Sequence, residues 1–263
     1  MRPAPPGPLR AVLLDIDDTL LDTRGAFRSA IRHVVGQWMP QLDEAGAEEA
    51  VVHWAQDPGG YFRAYTRGEQ TFLTQRRLRA KDLHAAFGGP VLDDDAYRGW
   101  ESRYEAAFRA AWRLADGAAD LLDTLVGAGL AVGAVTNMER AYQEDKLAVV
   151  GLAGRLPVLV AVDDLGFGKP DPRTFALACR RLGVRQQQAA YIGDELDVDA
   201  RGATAAGLTG VWLDVHGTGR KVQDVLVART LQDVPALLGV PRPARGRPAG
   251  PAANRFGRGA GRR

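Results

Sequence analysis

Apolar and polar positions along this 263-residue chain follow two different patterns. In the first, short continuous apolar runs alternate with helix-like stretches. The runs are 12–14 (VLL), 130–135 (LAVGAV), 158–162 (VLVAV), 189–193 (AAYIG), 210–214 (GVWLD) and 225–228 (VLVA). Unbroken apolar character, rather than alternation, predicts strands covered on both faces. The intervening stretches 117–127, 139–150, 172–182, 198–206 and 231–238 are helix candidates. Strand and helix in turn predict an α/β fold, a doubly wound parallel sheet with right-handed crossovers.

The second pattern occupies residues 23–114. Ala26, Phe27, Ala30, Ile31, Val34, Val35 and Trp38 recur at helical spacing. Phe72, Leu73, Leu78, Leu83 and Phe87 do so less regularly. Over 94–114, Tyr97, Trp100, Tyr104, Phe108, Ala111 and Trp112 are spaced by mixed steps of three and four. No comparable β-run intervenes, so an all-helical insertion after the first strand is expected. Four of the five tryptophans fall within it and read as packing residues. The expected organisation is a core formed by 1–22 and 115–240, an insertion at 23–114 and a tail at 241–263.

Composition refines this picture at the tail. The net charge of +2 hides an asymmetry, because residues 241–263 hold seven arginines and no acid, leaving −5 for residues 1–240. A tail of Pro, Gly, Ala and Arg lacks the apolar surface to fold and is expected to be disordered. A weak contact with nucleic acid or another polyanion is its alternative role. The single cysteine, Cys179, allows no intramolecular disulfide and reads as a helix packing residue. No apolar run approaches the ~20 residues of a membrane helix. The N-terminus has no hydrophobic region of the signal-peptide type. A cytoplasmic protein without a membrane partner, monomeric or homodimeric, is expected.

Polar residues collect where the strands end. "LLDIDDTLLD" places Asp15, Asp17 and Asp18 directly after an apolar run. Like charges so close need a cation, a ligand or open solvent. "AVTNM" places Thr136 and Asn137 after the second run, and "GFGKPDPRTF" places Lys169 before a helix. "YIGDELDVDA" places Asp194, Asp197 and Asp199 after the fourth run. In open parallel sheets ligands bind outside the carboxyl ends of strands, where all four segments would meet.

These four segments, in this order, resemble the signature of the haloacid dehalogenase superfamily. The matching residues are Asp15-Ile16-Asp17-Asp18-Thr19, Thr136, Lys169-Pro170, and Gly193-Asp194 followed by Asp199. The resemblance spans about residues 9–215 and implies a Rossmann-like core, the insertion being a helical C1-type cap. It further implies that Asp15 is the nucleophile and that Asp15, Asp194 and the backbone carbonyl of Asp17 hold Mg2+. The Asp17 side chain would be general acid and then base. Thr136, Asn137 and Lys169 would bind the phosphoryl oxygens, although Asn137 reads equally as a turn residue. Asp199 and Thr19 would support the site, Asp199 by orienting Lys169 or a metal-bound water.

Dehalogenases of this superfamily need no acid two residues after the nucleophile, because halide leaves without a proton; a phosphate ester benefits from one. Asp17 therefore favours a phosphatase acting on a small phosphorylated metabolite. A 2-haloacid dehalogenase, or a binding protein that uses the basic tail, are the alternatives. Asp18 reads as a turn or helix-start residue, Asp197 as a helix cap or solvated acid, and Asp22 and Thr23 as polar residues at the start of the insertion. His33, His53, His84 and His216 have no metal-like spacing. Lys81, the insertion's lysine, has no activating surroundings in sequence. Arg63, Arg67, Arg76, Arg77 and Arg79 either recognise an acidic group on the substrate or form a solvated helix face.

Overall fold

A computed structural model describes residues 8–241. The disordered-tail expectation therefore falls almost entirely outside the described residues. In chain order the regular elements begin with β1 (Ala11–Leu14), α1 (Thr23–Trp38), α2 (Glu44–Gln56), α3 (Tyr61–Thr66), α4 (Phe72–Ala86) and α5 (Asp94–Ala110). There follow α6 (Ala118–Gly127), β2 (Ala131–Val135), α7 (Arg140–Val149), β3 (Val158–Val160), α8 (Pro172–Arg181) and β4 (Ala189–Gly193). The last are α9 (Gly202–Ala205), β5 (Thr209–Leu213), β6 (Leu226–Ala228) and α10 (Val234–Leu237).

The six strands form one sheet of order β3-β2-β1-β4-β5-β6, and every pair is parallel. β1 lies inside it, in register with β2 (Leu13 beside Gly133) and with β4 (Leu13 beside Tyr191). All four β1 residues are fully buried, as expected for a strand with helices on both faces. One core layer joins Leu14, Ile16, Leu122, Leu125 and Val211; the other joins Leu13, Val135, Phe175, Cys179 and Tyr191. Cys179 is a packing residue, and burial pushes its thiol up to about 11.

The predicted strands match to within about two residues. Two helices differ. The stretch read as 198–206 is a wide π-type turn over Leu196–Arg201 that runs on into α9. The 231–238 stretch is a tight 3-10 turn followed by the short α10.

Between β1 and β2 the chain leaves the sheet for α1–α5. Local capping explains where three of these helices start: Asp22, Asp43 and Asp93 each accept a backbone N–H from the first turn of α1, α2 and α5. Their apolar faces form a separate core. Trp54, Trp100, Tyr104 and Phe108 pack in it against Ile31, Val34 and Val35 of α1. Trp100 and Tyr104 stack with centroids 5.1 Å apart, and Tyr104 on Phe108 at 5.8 Å. The chain enters and leaves this helical insertion at adjacent points, where Leu21 and Leu114 form an antiparallel bridge. Asp22 N–H donates to the Arg113 carbonyl at 3.1 Å.

Candidate active site

Sheet register dictates the geometry. Asp15 continues β1, its N–H donating to the Ile192 carbonyl at 2.9 Å. Thr136 likewise follows β2, bonded to the Val160 carbonyl at 2.9 Å. Asp194 follows β4, and its carbonyl accepts from Trp212 Nε1 of β5 at 2.9 Å. The polar segments singled out from sequence therefore converge at one edge of the sheet.

Lys169 reaches into this edge from the loop before α8. Its Nζ donates to Asp15 Oδ1 at 2.6 Å, Asp199 Oδ1 at 2.7 Å and Tyr191 Oη at 2.8 Å. An ammonium has three donors, and all three are used. Burial alone would discharge the amine, but Asp15 and Asp199 outweigh it and hold Lys169 protonated. Gly193 makes room for this arrangement: a Cβ there would lie 2.3 Å from Asp199 Oδ2. The Lys169 backbone is fixed as well, since its N–H donates to Asn137 Oδ1 at 2.6 Å and its carbonyl accepts from Asn137 Nδ2 at 3.0 Å. Asn137 thus uses its amide to hold the lysine loop.

Asp17 faces another way. Its Oδ1 accepts from Lys146 Nζ at 2.5 Å and Thr23 Oγ1 at 2.6 Å, and its Oδ2 from Gln143 Nε2 at 2.6 Å. Burial would raise this carboxyl, but Lys146 and the hydrogen bonds outweigh it and hold Asp17 below the usual range. Thr136 Oγ1 accepts from Gln143 Nε2 at 2.8 Å and from Met138 N–H at 3.2 Å. Its own proton stays available to an incoming oxygen.

Asp15, Asp194 and Asp199 present carboxylate oxygens within 4.8 Å of one another, a group able to hold a metal ion. Burial and the neighbouring Asp18 and Asp199 push Asp194 up to about 7. Such crowding of partly uncompensated carboxylates suits a divalent cation. The Asp17 carboxylate is outside this group.

Asp18 is a turn residue with φ 57°, and its carboxylate accepts from the Arg24 N–H at 2.7 Å and from Arg24 Nε at 3.1 Å. Burial raises it to about 6. Asp197 is a solvated acid paired with Arg201 at 2.7 Å. The Thr19 hydroxyl is fully buried and has no partner among the described residues.

Above the carboxylates lies a cavity of about 510 Å³. Its aromatic walls are Phe27, Phe62, Phe72, Phe108 and Tyr142. Arg63, Arg67, Arg76 and Arg79 also line it, whereas Arg77 is outside the lining and pairs with Asp94. The solvated-face reading fits Arg67, which is exposed and paired with Glu69 at 2.5 Å. It fails for Arg76, which is buried, bonds Glu105 at 2.5 Å and lies over the Phe72 and Tyr104 rings. It fails for Arg79 too, which donates to the Trp54 carbonyl at 2.6 Å over the Trp54 ring.

The sequence reading missed Gln143, Lys146, Tyr191 and Arg24. Arg24 Nη2 donates to Asp194 Oδ2 at 2.9 Å. A usable signal existed for the first two: Gln143 and Lys146 stand three apart on α7, on the face that also carries Leu147.

A model of the haloacid dehalogenase-like hydrolases matches residues 9–207, about three quarters of the chain. The chain belongs to this family. This hydrolase is 28% identical over 242 residues to phosphoserine phosphatase of Thermus thermophilus, covering 78% of this chain and 89% of that one. It is 28% identical over 249 residues to phosphoglycolate phosphatase of Escherichia coli, covering 89% and 94%. The hydrolase also resembles the solved HAD-hydrolase YfnB of Bacillus subtilis bound to magnesium, with TM-score 0.71, 25% identity and coverage of 89% and 100%. The L-2-haloacid dehalogenase RSc1362 shares its fold at TM-score 0.70 and 21% identity, covering 89% and 100%. Among the described residues no helix is long and apolar enough to cross a membrane.

Proposed function

We propose that this hydrolase is a Mg2+-dependent phosphomonoesterase working through an aspartyl-phosphate. The observation that carries this reading is the Asp17 carboxylate, which lines the cavity beside Asp15 and is held there by three donors. A halide leaves without a proton, whereas an alkoxide needs one. An Asp17 fixed at this point supports the phosphatase reading over the dehalogenase one.

In this reading an Asp15 oxygen attacks phosphorus and forms the acyl phosphate. The ester P–O bond breaks, and the leaving oxygen takes a proton from Asp17, which is ionised in the free site and receives that proton from the bound phosphomonoester monoanion. Water then attacks phosphorus while Asp17 takes a proton from it. The acyl-phosphate P–O bond breaks, releasing inorganic phosphate and the Asp15 carboxylate. Lys169 supplies fixed positive charge, and the Thr136 hydroxyl donates to a phosphoryl oxygen. Asn137 serves by holding the lysine loop, Asp199 by orienting Lys169. Mg2+, held by Asp15, Asp194 and the Asp17 carbonyl, would neutralise charge on the phosphoryl group. The helical insertion, residues 23–114, acts as the cap. Its aromatic walls, Phe27, Phe62, Phe72 and Phe108, suit an organic leaving group with an apolar face.

The test is phosphate release from a panel of phosphomonoesters, with and without Mg2+, for the wild type and Asp15→Asn. Release that needs the metal and vanishes in the variant is expected. Halide release from 2-haloacids with no phosphate release would replace this reading by a dehalogenase.

A further inference from the structure

The chemistry above leaves a second buried lysine unused. Lys146 on α7 is 2% exposed, with its Nζ 2.5 Å from Asp17 Oδ1. The Tyr142, Phe108 and Trp112 rings surround the amine, with centroids 5.0, 5.7 and 6.0 Å away. An apolar side chain of similar length would fill such a box without the cost of desolvating a charge. The amine therefore needs a reason to be there, and its ion partner is Asp17.

Two further donors complete the grip. Gln143, three residues earlier on α7, donates to Asp17 Oδ2, and Thr23 of α1 donates to Oδ1. With donors on both oxygens, from two helices, the carboxylate plane is fixed in the orientation that lines the cavity. Proton transfer falls off steeply when the acid is misplaced, and a free aspartate samples several rotamers.

We propose that Lys146, which itself borders the cavity, is a positioning residue for both proton transfers and acts by fixing Asp17. This rests on the phosphomonoesterase reading. Its signature is dependence on the leaving group. An alkyl phosphate needs the proton of Asp17 in the first chemical step; p-nitrophenyl phosphate does not.

First-turnover and steady-state rates are measured on both esters for the wild type, Lys146→Met and Lys146→Arg. In Lys146→Met, first turnover of the alkyl ester falls at least ~10-fold and that of p-nitrophenyl phosphate less than ~3-fold. Activation of water is slowed as well, so p-nitrophenolate appears as a burst of about one equivalent followed by slow turnover. Lys146→Arg, which keeps the charge, restores most of the alkyl rate. Equal losses on both esters, or no loss, overturn the proposal. Should Lys146→Met fail to fold, Lys146→Gln is read in the same way, with the same split expected at smaller size. Wild-type protein inactive on every ester refutes the phosphomonoesterase reading, and the proposal falls with it.

Discussion

Two lysine–carboxylate clusters face one cavity, and they are built differently. Around Lys169 every partner belongs to the sheet or its edge: Asp15 after β1, Tyr191 in β4 and Asp199 just beyond it. Around Lys146 and its partner Asp17 the contacts come from both halves of the molecule: Tyr142 of α7 and Phe108 of the insertion against the lysine, Gln143 of α7 and Thr23 of the insertion on the carboxylate. The first cluster can form without the insertion. The second is complete only when the insertion is seated. Charge compensation at the nucleophile is thus a property of the core, whereas the orientation of Asp17 depends on how core and insertion meet.

The sharpest way to break this contrast lies in the first cluster. Asp15→Asn is expected to lower kcat by ~10⁴-fold or more while the fold persists, checked by steady-state kinetics and circular dichroism. Activity above that level would remove Asp15 as nucleophile.

Lys169→Met comes next. Removing one partner of a buried pair leaves uncompensated charge and costs about 3–5 kcal/mol. Denaturant unfolding should show that loss together with loss of turnover. Adding Asp199→Asn should recover part of the stability and none of the activity. Lys146→Met leaves only one carboxylate unpaired, so its stability loss should be the smaller of the two.

A moderate effect should separate metal from proton at Asp194. Its folded-state carboxyl is raised to about 7, well above an unfolded aspartate. The stability that protonation contributes is therefore present at low pH and lost as pH rises through 7. In chelator, Tm should fall as pH rises from about 4 to 7 and level off above that. Added Mg2+ should restore it at pH 8 and have little effect at pH 5, because protons and the cation compete for the carboxylates. A Tm insensitive to Mg2+ at pH 8 would count against the metal group.

The smallest effect is expected at Arg67, on the cavity lining but exposed and paired with Glu69. Arg67→Ala should alter KM by no more than about threefold and leave kcat and Tm unchanged. A large KM change would move substrate recognition to this arginine.

The first cluster was legible in the sequence and the second was not, for a physical reason. Asp15, Thr136 and Asp194 stand directly after unbroken apolar runs, so each strand end announces its polar residue, and Lys169 is marked by the Gly- and Pro-rich turn before a helix. The inner strands could be read for the same reason: burial on both faces, complete in β1 and β4, leaves a signal independent of tertiary detail. Gln143 and Lys146 instead sit inside a helix whose surface mixes charges with apolar residues, where a buried lysine looks like any solvated one. Tyr191 hid in the opposite way, as an aromatic residue within a strand that also carries a hydroxyl to Lys169 and to the Val135 carbonyl. The π-type turn at Leu196–Arg201 could not be read either. Its helical spacing is ordinary; what widens it is the demand that Asp199 reach back to Lys169 and accept the Glu195 N–H.

The bridge between Leu21 and Leu114 has a mechanical consequence. A lobe tied to its base by two strands far apart could only stretch or shear. Here both strands leave together, stitched by a backbone bond from Asp22 to Arg113 and by the ion pair of their side chains. The two tethers act as a door's hinge pin: the lobe can swing about that point, but sliding would have to break the stitch. Thr23 is the first residue beyond the pin, so even a wide swing of the lobe's far end displaces its hydroxyl, and hence its grip on Asp17, only slightly.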